Sequence, residues 1–125
     1  MESLISIAIA EDHEIVRKGV IEIITAFGGY SIDIEAGNGQ ELFEKLSVAE
    51  RLPDIVVMDI SMPVLDGVGA TAQIRELGVD TPIVAMTANA MKDDVASYLA
   101  QGMNDYVPKP VDRKVLLKVF LRWLK

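Results

Sequence analysis

The sequence predicts an α/β fold, a doubly wound parallel sheet of five strands flanked by five helices. Short apolar runs alternate five times with longer stretches whose apolar residues recur at helical spacing. The middle run, Ile55-Val56-Val57-Met58, is apolar at every position, as a strand buried on both faces must be. Aromatic residues make up only 6% of a chain that is 50% hydrophobic, so aliphatic side chains dominate, which suits a β-branched sheet under helices. With 125 residues the chain is long enough for one domain with a real core and too short for two. Residues 1–125 are therefore expected to form one domain, without internal repeat, low-complexity segment or linker.

The elements follow in order. Leu4 to Ala10 reads as the first strand. Ile15, Val16, Val20, Ile23, Ile24 and Phe27 recur at 3.6 spacing, a helix stopped by Gly28-Gly29. From Ser31 to Ala36, Ile32, Ile34 and Ala36 alternate with polar neighbours, the pattern of an edge strand. Gly37-Asn38-Gly39 turns the chain into a helix carrying Leu42, Phe43 and Leu46, which ends before Pro53. The third strand, Ile55 to Met58, is central; a helix over Val68 to Leu77 is closed by Gly78. Pro82 to Met86 is the fourth strand, Lys92 to Gln101 a helix closed by Gly102, Tyr106 to Pro108 a short fifth strand, and Val111 onward the last helix. The stretch 59–67 remains a long loop at a strand tip, where functional groups concentrate.

Net charge is −7, which argues against an electrostatic nucleic-acid binder. The absence of cysteine removes disulfides, thiolate metal sites and a cysteine nucleophile. The start, Met1-Glu2-Ser3-Leu4, lacks the basic region of a signal peptide, and no apolar run approaches the ~18 residues of a membrane span. A soluble, cytoplasmic protein is expected.

Four strand ends carry the chemistry: Glu11-Asp12, Asp59, Thr87 and Lys109. Open parallel sheets place their ligands at the carboxyl ends of the strands. Adjacent acids such as Glu11 and Asp12 can simply begin a helix. A second carboxylate, Asp59, at a neighbouring tip is costly without a cation. Mg²⁺ would relieve that repulsion and polarise an incoming phosphoryl group, and an Asp carboxylate can itself carry an acyl phosphate. Thr87 is either a capping hydroxyl or a donor to a phosphoryl oxygen. Lys109, between Pro108 and Pro110, is either an exposed lysine or an aimed counter-charge. His13, the single histidine, reads as an exposed residue of the first helical turn, so phosphate should arrive from elsewhere.

Glu11-Asp12, Met58-Asp59-Ile60-Ser61-Met62-Pro63-Val64-Leu65-Asp66-Gly67, Ala85-Met86-Thr87-Ala88 and Tyr106-Val107-Pro108-Lys109-Pro110 together resemble the receiver domain of two-component response regulators. The resemblance covers essentially the whole chain, with motifs in the family's order and spacing. It implies the flavodoxin-like strand order 2-1-3-4-5. It implies that Asp59 is phosphorylated by a partner's phosphohistidine, from a sensor histidine kinase or a histidine phosphotransfer protein. Asp12, Asp59 and the Ser61 carbonyl would hold Mg²⁺, with Glu11 acting through water. Lys109, Thr87 and the Ala88 backbone N–H would bind phosphoryl oxygens, Tyr106 would be the switch aromatic, and Lys109-Pro110 a cis peptide. Glu11 stands where many members carry a second aspartate. Ser61 and Asn89 resemble the positions that tune phosphate lifetime.

On the last helix Lys114, Lys118, Arg122 and Lys125 form one narrow polar stripe, and apolar residues fill most of the remainder. A helix lying on a sheet needs only about 100° of apolar arc. The excess, centred on Leu117 and Leu121, either packs on neighbouring loops or meets a downstream partner or a second copy through the fourth helix, fifth strand and fifth helix. Other function classes are weighed against this. A Mg²⁺-dependent phosphohydrolase would need an acid where Ser61 stands, and a flavin binder would be repelled by Glu11-Asp12. A pseudo-receiver, acting only as an interaction module, would not need all the acids with Thr87 and Lys109. The receiver resemblance implies a domain that catalyses only its own phosphotransfer and dephosphorylation, and no DNA-binding output or membrane segment is expected within the chain.

Overall fold

A computed structural model describes residues 4–62, 64–88 and 91–123, without the side chains of 92 and 93. Ten elements alternate: β1 Ile5–Ala10, α1 Glu14–Ala26, β2 Tyr30–Ala36, α2 Gly39–Ser47, β3 Ile55–Asp59, α3 Gly67–Glu76, β4 Ile83–Thr87, α4 Lys92–Ala100, β5 Asp105–Pro108 and α5 Arg113–Trp123. The five strands form one sheet in the order β2-β1-β3-β4-β5, every pair parallel. The expected order and alternation are both present.

Period-two alternation sends successive side chains to opposite faces. Ala8, Ala10, Val56, Met58, Ile83 and Ala85 face one layer, where Leu42 and Leu46 of α2, Ala70 and Ile74 of α3 and Tyr98 of α4 pack on them. Ile7, Ile9, Ile55, Val57, Val84, Met86 and Val107 face the other, against Val20 and Ile24 of α1 and Leu116, Val119 and Phe120 of α5. Strands β3 and β4 are buried throughout, whereas β2 exposes Asp33 and Glu35. Charges on that edge discourage further strand pairing.

Helix ends follow local chemistry. Asn38 Oδ1 accepts from the Glu41 N–H at 2.8 Å, and Asp66 Oδ1 from the Gly69 N–H at 2.7 Å, satisfying first-turn donors of α2 and α3. Gly78 and Gly102 take φ of 84° and 108° just past α3 and α4, a region that suits glycine. Most boundaries differ from the sequence reading by one or two residues. Strand β3 includes Asp59, because the Ile60 N–H still bonds to Met86 O at 3.1 Å. Helix α2 ends at Ser47, before Pro53 as expected. Helix α5 starts at Arg113 rather than Val111, because Asp112 Oδ1 accepts from Lys114 N at 2.8 Å and Val115 N at 3.3 Å as a cap does.

The amino rim of the sheet is tied by Arg75, at the end of α3. Its Nε and Nη2 donate to Gly102 O (3.1 and 2.9 Å), Nη1 to Val79 O and Thr81 O (2.7 and 3.0 Å), and Nη2 also to Asn104 Oδ1 (2.8 Å). Asn104 Oδ1 accepts from the Ile83 N–H as well, at 2.9 Å. Among the described residues no helix is long and apolar enough to cross a membrane.

Candidate functional site

At the carboxyl rim β1 delivers Glu11. Its N–H continues the ladder to Ala36 O at 3.0 Å, and Arg17 Nη1 donates to its carbonyl at 2.8 Å while Arg17 Nε pairs with Glu35 at 3.2 Å. The backbone is thus fixed from α1 and β2. The Glu11 side chain is fully buried. Its Oε1 accepts from the His13 backbone N–H at 3.1 Å, and its Oε2 from Lys109 Nζ at 2.8 Å.

Asp59 ends β3 at 4% exposure. Its Oδ1 lies 3.1 Å from Lys109 Nζ and accepts from the Ser61 N–H at 3.3 Å. Gly67 makes the return of the loop possible: a Cβ there would come 2.5 Å from the Asp59 carbonyl oxygen. Lys109 enters from beyond β5. Its N–H bonds to Thr87 O at 2.8 Å, and the Lys109-Pro110 peptide is cis, as the resemblance implied.

One ammonium therefore serves two carboxylates, and a third lies beside them. Asp12 Oδ1 is buried and accepts no hydrogen bond among the described residues. His13 Nδ1 is 3.2 Å from it, within ion-pair reach but without hydrogen-bond alignment, and 3.1 Å from Glu11 Oε1, where the alignment is met. Ligand atoms of Glu11, Asp12 and His13 lie within 4.8 Å of one another. His13 is otherwise exposed, as expected of the first helical turn.

The shared lysine splits the acids. Burial pushes Glu11 up, but the hydrogen bond and charge of Lys109 and the His13 N–H outweigh it and hold Glu11 below the usual carboxylate range. Burial also pushes Asp59 up, and the Glu11 charge adds to it. The longer bond to Lys109 does not compensate, so Asp59 lies above that range. Burial lowers Lys109, yet its bonds to Glu11 and Asp59 prevail and raise it.

Thr87 ends β4 at 3% exposure, and its Oγ1 is 3.2 Å from the hydroxyl of Tyr98 on α4. Tyr106 is half-buried against the layer shared by α2, α3 and α4. Ser61 and Ala88 are exposed at the rim, and Asn89 lies outside the described residues. The structure thus joins Glu11, Asp12, Asp59 and Lys109, with Thr87 one strand away. Leu117 and Leu121 lie apart on α5, Leu117 half-buried and Leu121 58% exposed. Sequence reasoning missed Arg17 and Tyr98. The signal for Tyr98 was present: it is the single aromatic in the helix 92–101.

A five-stranded parallel sheet in this order, with clustered acids and a lysine at its carboxyl rim, defines a small α/β signalling module. Residues 7–121 match the family model of the response regulator receiver domain, and the chain belongs to that family. It is a receiver domain of two-component signalling. It is 42% identical over 117 residues to "Two-component system protein A" of Emericella nidulans, covering 94% of this chain and 17% of that protein. It is 36% identical over 113 residues to "Two-component response regulator ORR41" of Oryza sativa subsp. japonica, covering 90% of this chain and 89% of that one. The chain is thus a small part of the first relative's length and nearly all of the second's. Among solved structures it is similar to the receiver domain of sensor histidine kinase PA1611 from Pseudomonas aeruginosa PAO1, which carries a magnesium ion coordinated in its active site cleft. The TM-score is 0.84 at 32% identity, over 98% of each chain.

Proposed function

We propose that residues 1–125 act as one phosphoacceptor domain in which Asp59 takes a phosphoryl group from a partner's phosphohistidine. The observation that carries this reading is the imbalance at the carboxyl rim: among the described residues Glu11, Asp12 and Asp59 gather around one ammonium, Lys109, which reaches Glu11 and Asp59. An Asp59 carboxylate oxygen attacks phosphorus. The P–N bond breaks, its electron pair goes to the imidazole nitrogen, which takes up a proton, and an acyl phosphate forms. In dephosphorylation water attacks phosphorus, the P–O bond to Asp59 breaks, and the carboxylate and inorganic phosphate are released. Lys109, the Thr87 hydroxyl and the Ala88 N–H bind the phosphoryl oxygens. The domain thereby catalyses only its own phosphotransfer and hydrolysis and turns over no external metabolite.

Mg²⁺ fits these residues. Among the described residues the buried Asp12 Oδ1 is left without a hydrogen bond, and carboxylates outnumber the ammonium. Asp12, Asp59 and the Ser61 carbonyl would hold the ion. Both Glu11 oxygens are already engaged by His13 and Lys109, which suits a residue acting through water. When bound, the ion offsets the charge of these groups and of the phosphoryl oxygens.

A sensor histidine kinase or a histidine phosphotransfer protein is the donor. Ile15 is 86% exposed next to the acids, and a largely apolar groove of about 480 Å³ is lined by its neighbour Val16 and by Gly19, Val20, Ile23, Lys109, Pro110 and Val111. A helix presenting the phosphohistidine would lie there. Readout runs through Thr87 and Tyr106 to the face of α4, β5 and α5, where Leu121 and its half-buried neighbour Leu117 meet a downstream protein or a second copy.

Intact-mass measurement after incubation with a small phosphodonor tests the reading. One phosphoryl group is gained with Mg²⁺ and lost with a chelator or in Asp59→Asn. No Mg²⁺-dependent gain with any donor would overturn it.

A further inference from the structure

The buried Tyr98 has no part in the chemistry above, yet its hydroxyl sits 3.2 Å from Thr87 Oγ1. Tyr98 is 9% exposed, and its ring packs in the layer with Val79, Ile83, Ala85 and Met103. Its carbonyl accepts from Met103 N at 3.2 Å, which ties the end of α4 to the segment leading into β5. The residue is therefore held at both ends, by its backbone and by its hydroxyl.

Alternation along the strands shows what that contact opposes. Ile7 and Ile9 before Glu11, Ile55 and Val57 before Asp59, and Val107 before Lys109 all face the α1/α5 layer. Ile83 and Ala85 before Thr87 face the layer of α2, α3 and α4. The acids and the lysine thus follow one face of the sheet, and the Thr87 hydroxyl follows the other, toward α4. A hydroxyl can accept from one partner and donate its single proton to another, so the conflict is one of direction and not of bond count. To meet a phosphoryl oxygen on Asp59, on the other face, Oγ1 must swing away from Tyr98.

The geometry points to Tyr98 as a positioning residue that holds the Thr87 hydroxyl on the α4 side in the unphosphorylated domain. It thereby lowers the apparent affinity of the site for a phosphoryl group and ties α4 to its arrival. The inference rests on the reading of Thr87 as a phosphoryl ligand. Binding that requires a minor arrangement is weakened by the fraction in which that arrangement is populated, so removing the restraint tightens it.

The test is the affinity for beryllofluoride with Mg²⁺, measured by calorimetry on the full chain. Tyr98→Phe keeps the ring and removes the hydroxyl. It should bind about fivefold more tightly than the parent, the scale of one hydrogen bond. In a Thr87→Ala background the same substitution should change nothing. Unchanged or weaker binding by Tyr98→Phe overturns the inference, as does equal tightening in the Thr87→Ala background. If Thr87→Ala alone binds as well as the parent, Thr87 is no phosphoryl ligand, and that reading falls together with the inference. The unmutated protein gives a second measure, which does not depend on how a variant folds. The NMR signal of the Tyr98 phenol carbon should shift on adding beryllofluoride, and no shift overturns the inference.

Discussion

The two rims of the sheet handle buried charge in opposite ways. At the amino rim one guanidinium, Arg75, meets four acceptors: Gly102 O, Val79 O, Thr81 O and Asn104 Oδ1. At the carboxyl rim one ammonium reaches two carboxylates, and a third keeps an oxygen without a hydrogen bond among the described residues. The first arrangement is complete within the fold and fastens β4 and β5 to α3. The second is incomplete within the fold and leaves negative charge over. Satisfied burial stabilises; unmatched burial costs stability and is kept where something else is to bind.

The largest expected effect breaks the complete side. Arg75→Ala leaves several partly buried carbonyl groups without their donor and should cost about 3 kcal/mol in urea unfolding. Arg75→Lys should recover less than half, because an ammonium cannot span the same acceptors. Next comes the charge partner on the incomplete side. Lys109→Met should slow phosphoryl incorporation by about 100-fold, measured by intact mass against time.

A smaller effect has the opposite sign. Asp59→Asn should stabilise the metal-free protein at neutral pH by about 1 kcal/mol, roughly 4 °C in Tm. Mg²⁺ should raise the Tm of the parent more than that of the variant. The pH dependence follows from the split between the acids. A raised folded-state pKa, as at Asp59, contributes stability at pH below the ordinary carboxylate value and loses it as pH rises through the raised pKa. The gap between Asp59→Asn and the parent should therefore close as pH falls through the Asp59 pKa. Glu11, lowered by Lys109, contributes above the ordinary value and loses that only as pH falls further, through its own depressed pKa. Urea titrations of both proteins at stepped pH would show the gap closing first, and a constant gap would contradict the assignment.

The smallest effect is local. Val64, in the loop between β3 and α3, holds φ at 70° while 80% exposed, where a β-branched residue is strained. Val64→Asn should gain about 0.5 kcal/mol in the same measurement, with Mg²⁺ affinity retained.

Much of this contrast was legible in the sequence, on one rim only. Glu11, Asp59 and Lys109 stand at strand ends, and strand ends of a parallel sheet converge, so local pattern sufficed to bring them together. Arg75 carried no such mark. A basic residue in the last turn of a helix ordinarily points to solvent, and its acceptors lie in two connections, one of them 27 residues away. Tyr98 stood out as the single aromatic of its helix, but its bond to Thr87 depends on the rotation of α4 about its own axis, which spacing does not reveal. The helical wheel of α5 set Leu117 and Leu121 together, but neighbouring elements half-cover only the first. At Val111 apolar character suggested a helix start that Asp112, as a cap, moves downstream.

The main-chain bond from Lys109 N–H to Thr87 O joins two residues whose side chains take different directions, one to the acids and one to α4. The amide proton of Lys109 is consequently a built-in gauge of the β4–β5 junction. Its exchange with deuterium reports whether the end of β4 is seated, in any state of the domain, with no label attached to either side chain.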